Sequence, residues 1–191
     1  VNRRYQALIF DCFGVLCSDG WLPFKRKHFG HDEVLLQEAG DFNKQVDAGM
    51  AEYGDFIAWL SEKSGQSAID VRQQLEANPP DEELFKVIKE YKPTYKLGIL
   101  SNAGVNWLPE IFSPDQLSLF DATALSYETG LSKPNGRAYQ LIAQRLGVLP
   151  EQCIFIDDQP SFVTAAHDEG MQAIVYQSAE QLARDLAQIL D

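Results

Sequence analysis

The sequence predicts an α/β protein, a doubly wound parallel sheet carrying a small helical insertion, on three observations. Short apolar runs end abruptly in polar residues; these runs alternate with stretches of helical apolar spacing; and residues 18–80 break the alternation with helical segments alone. A chain of 191 residues, 45% hydrophobic and 23% charged, suits one packed core with a modest insertion rather than two large domains. Sheets of this kind bind ligands beyond the carboxyl ends of their strands. The polar residues that end each run are therefore the first place to look for chemistry.

The first run, residues 5–10, is too short for a helix and suits a buried parallel strand. Residues 18–80 contain helix candidates at 32–42, 51–63 and 67–76, closed by Asn78, Pro79 and Pro80. Trp21, Phe24, Lys25, Arg26, Lys27 and His28 in this block suit either a pocket lining or a cover for the sheet edge. Phe56, Trp59 and Leu60 form an apolar stripe that reads as packing within the insertion. A helix is expected over 82–91 and a strand over 96–100, ending at Ser101 and Asn102. Trp107 and Phe112 follow as packing residues, and 122–125 reads as a further strand. The helix over 135–146 shows apolar spacing at Ala138, Leu141, Ile142 and Leu146. The run 153–156 ends at Asp157 and Asp158, a helix covers 162–169, a strand 172–176 and a last helix 179–190. His167 falls inside a helix, as a surface or core residue. The expected division is a core of residues 1–17 and 81–191 with an inserted unit of 18–80.

The formal charge of −12 lacks the basic footprint of a nucleic-acid binder or of a protein docking on anionic membranes. Neither partner is expected. An anionic small molecule would need a locally positive pocket. The three cysteines, Cys12, Cys17 and Cys153, have no metal-ligand spacing and an odd number, which suits a reducing cytoplasm. The apolar run after Arg3 and Arg4 is shorter than a signal peptide requires, and no run reaches the ~20 residues of a membrane span.

Four features carry chemistry. Asp11 follows the first strand, and Gly14 permits the sharp turn that keeps its carboxylate at the sheet's end; a carboxylate there can attack phosphorus and form an acyl phosphate. Ser101 and Asn102 end another strand, where a hydroxyl and backbone N–H groups hold phosphoryl oxygens or simply cap a helix. Lys133 precedes Pro134, a helix-starting residue, and would supply positive charge if buried in the acidic cleft. Asp157 and Asp158 add two carboxylates beside Asp11, which are costly together unless a cation offsets them; oxygen ligands with open positions suit Mg²⁺.

The order Asp11, Ser101-Asn102, Lys133, Asp157-Asp158 closely resembles the four motifs of the haloacid dehalogenase superfamily. The resemblance runs from about residue 5 to 176 and includes an insertion after the first motif similar to that superfamily's small helical cap. It implies a Rossmann-like core and a hydrolase. By the same resemblance Asp11 is the nucleophile and a metal ligand, Ser101 binds the phosphoryl group, and Asn102 helps position substrate. Lys133 stabilises the phosphoaspartate, Asp158 binds Mg²⁺ with Asp157 assisting, and the Phe13 carbonyl completes the metal site.

Phe13 departs from the pattern. The phosphatase branches usually carry a second aspartate there, which protonates the leaving group and activates water, and phenylalanine moves no proton. General acid–base help worth roughly 10²- to 10⁴-fold is missing from that position. The favoured expectation is a Mg²⁺-dependent phosphatase acting on a small phosphate monoester, such as a sugar 1-phosphate whose leaving group needs little protonation, or one that borrows an acid, with Asp19 and His28 as candidates. One alternative is a 2-haloacid dehalogenase, whose family has an aromatic residue there; Asp157-Asp158 argues against it, since those enzymes use no metal. The other is a non-catalytic binding protein on the same fold. Cys12, beside the nucleophile, is expected to face away into the core.

Overall fold

A computed structural model describes residues 3–190. Residues 1, 2 and 191, which the expected core boundaries take in, lie outside the described residues. The core begins with β1 (Ala7–Phe10), and four helices follow before the alternation resumes: α1 (Trp21–Phe29), α2 (Glu33–Asp47), α3 (Tyr53–Ser64) and α4 (Ala68–Glu76). Then come α5 (Glu82–Tyr91), β2 (Lys96–Ser101), the short helices α6 (Leu108–Ile111) and α7 (Pro114–Leu117), β3 (Ala122–Leu125), α8 (Ser126–Thr129) and α9 (Gly136–Leu146). The chain ends with β4 (Cys153–Asp157), α10 (Pro160–Asp168), β5 (Gln172–Val175) and α11 (Ala179–Leu190). No described helix is long and apolar enough to cross a membrane.

The five strands form one parallel sheet in the order β3-β2-β1-β4-β5. All four residues of β1 are buried, and alternate side chains serve opposite faces. Leu8 and Phe10 join Leu97, Ile99, Ile154 and Ile156 against Leu84, Phe85 and Ile88 of α5 and Leu182 and Leu186 of α11. Ala7 and Ile9 join Leu100 and Phe155 against Tyr139 and Ile142 of α9 and Val163 and Ala166 of α10. Both faces are covered, which explains why these strands read as continuous apolar runs. The chain leaves β1 for β2 on one side and returns to β4 on the other, so the switch point lies at the carboxyl end of β1.

Helices α1 to α4 enclose a separate apolar cluster built on Phe24, Phe29, Val46, Phe56, Leu60, Val71 and Leu75. The chain leaves and re-enters the core at one place: Ser18 N–H donates to Pro79 O (3.1 Å) and Asp81 N–H to Leu16 O (2.9 Å). Two differences from the sequence expectation stand out here. Helix α1 was not expected, because Pro23 and the basic run 25–28 obscure the apolar period. Pro23 is nonetheless tolerated, since it falls in the first turn, where N–H groups have no helical partner. Helix α2 runs on to Asp47 instead of stopping at Phe42, and that extra turn brings a carboxylate to the site.

Candidate active site

Loops beyond the carboxyl ends of β1, β2, β3 and β4 meet and line a cleft of about 620 Å³. Beyond β1, the turn closes with Gly14 N–H donating to Cys17 O (2.8 Å), and Gly14 sits at φ +85°. A Cβ at position 14 would lie 2.8 Å from both Cγ and Oδ2 of Asp158. Glycine is therefore demanded twice, by backbone conformation and by the Asp158 carboxylate packed against it.

Lys133 is the electrostatic centre. Its side chain is 1% exposed, with Nζ 2.7 Å from Asp11 Oδ1 and 2.6 Å from Asp157 Oδ2. Nζ also lies 4.8 Å from the ring centre of Phe162 and 5.5 Å from that of Phe155. Burial alone would discharge this lysine, but Asp11 and Asp157 outweigh it, and the net shift is upward, so Nζ stays an ammonium. Its backbone is held by Asn102: Lys133 N–H donates to Asn102 Oδ1 (2.7 Å) and Asn102 Nδ2 donates to Lys133 O (3.0 Å). The Asn102 amide is thus engaged in placing the lysine, although the residue still lines the cleft.

Asp11, Asp157 and Asp158 offer carboxylate oxygens that lie within 4.8 Å of one another. Their roles are unequal. Both oxygens of Asp157 are taken, Oδ2 by Lys133 and Oδ1 by the Gln159 N–H (2.8 Å), and the residue is fully buried. Asp11 and Asp158, by contrast, line the cleft together with Phe13. Burial and then the Asp11 charge push Asp157 and Asp158 upward from the usual carboxylate range. Three carboxylates against one ammonium leave a formal charge of −2. An oxygen-only donor set with that excess fits a divalent cation such as Mg²⁺. Ser101 adds an independent sign: its Oγ is buried, lines the cleft and has no hydrogen-bond partner among the described residues. Such an orphan is costly unless a ligand satisfies it.

Of the two candidate replacement acids, only Asp19 lines the cleft, and its carboxylate is engaged by the start of α1. Asp19 caps α1, accepting from Trp21 N–H (2.8 Å) and Leu22 N–H (3.4 Å). His28 packs on Phe24, 4.4 Å between ring centres, and does not line the cleft. Cys12 is buried beside Cys17 (Sγ to Sγ 3.9 Å), and that contact, then burial, raises its thiol, so it stays protonated and faces the core as expected. His167 is exposed, on α10. Trp107, expected only to pack, lines the cleft and meets Tyr53 edge-on at 5.2 Å. Asp47 was missed: it lines the same cleft from the last turn of α2. Only the extra turn of α2 brings it there, and the sequence gives no signal for that.

The haloacid dehalogenase-like hydrolase family model matches residues 5–170. Flavin mononucleotide hydrolase 1 of Arabidopsis thaliana is 39% identical over 67 residues, covering 35% of this chain and 27% of its own length. A phosphatase of Mycobacterium tuberculosis (MT3486) is 37% identical over 75 residues, covering 37% of this chain and 35% of its own. The matches therefore span only about a third of those relatives' lengths. Among solved structures, a HAD-family enzyme of Bacteroides thetaiotaomicron superimposes with a TM-score of 0.74 at 19% identity, over 95% of this chain and 98% of that one. The same enzyme has been solved in complex with magnesium and inorganic phosphate, with a TM-score of 0.65 at 19% identity over 91% of this chain and 95% of that one. L-2-haloacid dehalogenase of Xanthobacter autotrophicus superimposes at 0.60 with 22% identity, over 96% of this chain and 83% of that one. At these identities the structural likeness speaks for the fold.

Proposed function

The chain belongs to the haloacid dehalogenase-like hydrolases, and from that premise we propose that it is a Mg²⁺-dependent phosphatase of small phosphate monoesters, with residues 18–80 as a cap over a core of 1–17 and 81–191. The observation that carries the reading is the cluster of three carboxylates, Asp11, Asp157 and Asp158, around the single ammonium of Lys133, an excess of acidic oxygen ligands over positive charge. A metal-free dehalogenase brings an anionic substrate to its site and has no use for that excess. Asp11 is the nucleophile: it attacks phosphorus, the bond to the leaving oxygen breaks, and water then cleaves the phosphoaspartate. Lys133, held by Asn102 and Asp157, orients Asp11 and stays charged throughout. Ser101 Oγ donates to a phosphoryl oxygen, the partner it otherwise lacks. Asp11, Asp158 and the Phe13 carbonyl would hold Mg²⁺, which when bound offsets phosphoryl charge.

The relatives support this reading, since two are named as a flavin mononucleotide hydrolase and a phosphatase and a similar fold binds magnesium with phosphate. Phe13 favours the dehalogenase alternative, because displacing a halide needs no proton. A screen of phosphate monoesters with Mg²⁺, run beside halide release from 2-chloropropionate with chelator, separates the two. Phosphate release that requires Mg²⁺ and is lost in Asp11→Asn is expected. Metal-independent halide release would overturn the proposal, as would phosphate release that survives in Asp11→Asn.

A further inference from the structure

Position 13 leaves the leaving oxygen without a proton donor, and the cleft must supply one or go without. Four further carboxylates line it besides Asp11 and Asp158: Asp19, Asp47, Glu76 and Glu110. Asp19 is engaged as a helix cap, Glu76 pairs with Arg72 at 3.0 Å, and Glu110 is exposed on α6. Asp47 differs from all three. It is half-buried, and its Oδ2 accepts from Asn43 Nδ2 (2.9 Å) one turn earlier in α2, while Oδ1 has no hydrogen bond among the described residues.

The backbone at Asp47 is fixed to the core beside the phosphoryl-binding loop. The Ser126 hydroxyl donates to Asp47 O (2.6 Å) and accepts from Ala103 N–H (2.9 Å), the residue after Asn102. The neighbouring turn is equally close: a Cβ on Gly104 would lie 2.7 Å from Val46 O. The C-terminus of α2 is thus clamped to the strand end that carries Ser101. An acid so placed is positioned by packing on both sides.

We propose that Asp47 is the acid–base catalyst that position 13 lacks, supplied by the inserted helices. The inference rests on the phosphatase reading. As Asp11 attacks phosphorus, the bond to the ester oxygen breaks, its electron pair stays on that oxygen, and the Asp47 carboxyl proton passes to it, releasing the alcohol. Asp47 is left as a carboxylate. It then takes a proton from the water that attacks phosphorus; the bond between phosphorus and the Asp11 oxygen breaks, and phosphate leaves with both carboxyl groups restored. Burial, and next the Asp11 charge, push Asp47 up to about 7, with Asp19 adding to the effect and Lys133 and Asn43 opposing it. A carboxyl in that range both gives and takes a proton near neutrality.

The test compares wild type, Asp47→Asn and Phe13→Asp/Asp47→Asn on glycerol 2-phosphate, a poor leaving group, and p-nitrophenyl phosphate, a good one, with MgCl₂. In Asp47→Asn the ratio of kcat/KM for glycerol 2-phosphate over p-nitrophenyl phosphate is expected to fall about 10²-fold, and the high-pH limb of the glycerol 2-phosphate profile to disappear. The double variant should recover at least about tenfold of that ratio, since it returns an acid to position 13. A ratio unchanged to within about threefold in Asp47→Asn, when wild type hydrolyses both esters, overturns this inference alone. A wild type that hydrolyses neither ester overturns the phosphatase reading and this inference with it.

Discussion

Replacing Gly14 by alanine should damage the proposed metal site more than the fold. The backbone there sits at φ +85°, where a Cβ costs about 1–2 kcal/mol. For a domain of this size that corresponds to a fall in Tm of roughly 2–8 °C. The added methyl would also stand 2.8 Å from Asp158 Cγ, whereas ordinary contact begins at 3.4 Å, so the carboxylate must move by 3.4 − 2.8 = 0.6 Å. That displacement is about three times the ±0.2 Å within which metal–ligand distances are held. It also strains the hydrogen bond from Gln159 Nε2 to Asp158 Oδ2 (2.7 Å). The Mg²⁺ concentration giving half-maximal phosphatase activity should therefore rise about 10- to 100-fold, as when supporting groups of a metal site are lost. The assay is a Mg²⁺ titration of activity beside thermal melts with and without Mg²⁺. A variant that melts several degrees lower yet keeps the wild-type Mg²⁺ dependence would refute the assignment of Asp158 as a ligand.

Ser101→Ala should lower kcat/KM about tenfold or more by removing a donor to the phosphoryl group, while stability is unchanged or slightly raised because an unpaired buried hydroxyl is lost; a clear loss of stability in urea would show that the hydroxyl has a structural partner. Asp47 predicts a pH effect on folding. Its folded-state value, near 7, lies above the 3.8 of an unperturbed aspartate, so the folded chain holds this proton more tightly. The resulting stabilisation is complete below about pH 4 and lost as pH rises through about 7. In chelator, Asp47→Asn should therefore lose less stability than wild type between pH 5 and pH 8. Equal losses in urea melts would contradict the burial and charge assigned to Asp47.

The sheet was legible because strands buried on both faces leave uninterrupted apolar runs, and the abrupt polar ends placed Asp11, Ser101 and Asp157 at one edge. Their convergence with Lys133, and the identity of position 13 as the departure, followed from the resemblance of their order along the chain to the motifs of the haloacid dehalogenase superfamily. What the sequence hid depends on tertiary contact. Helix α1 was obscured by Pro23 and its basic run. The length of α2 is set by docking: Ser126 and Ala103, some 80 and 56 residues downstream of Asp47 (126 − 47 = 79; 103 − 47 = 56), hold its last turn. The pairing of the Asn102 amide with the Lys133 backbone bridges a shorter gap of 31 residues, and no local pattern announces it.

The proposed turnover passes through a covalent phosphoaspartate at position 11. Quenching a reaction of wild-type protein, Mg²⁺ and a hydrolysed phosphate monoester with borohydride reduces an acyl phosphate to an alcohol, and peptide mass spectrometry locates the change. Homoserine at position 11, dependent on both Mg²⁺ and substrate, is the expected product. Phosphate release with residue 11 unmodified, or with the modification on another carboxylate, would contradict the phosphoaspartate route.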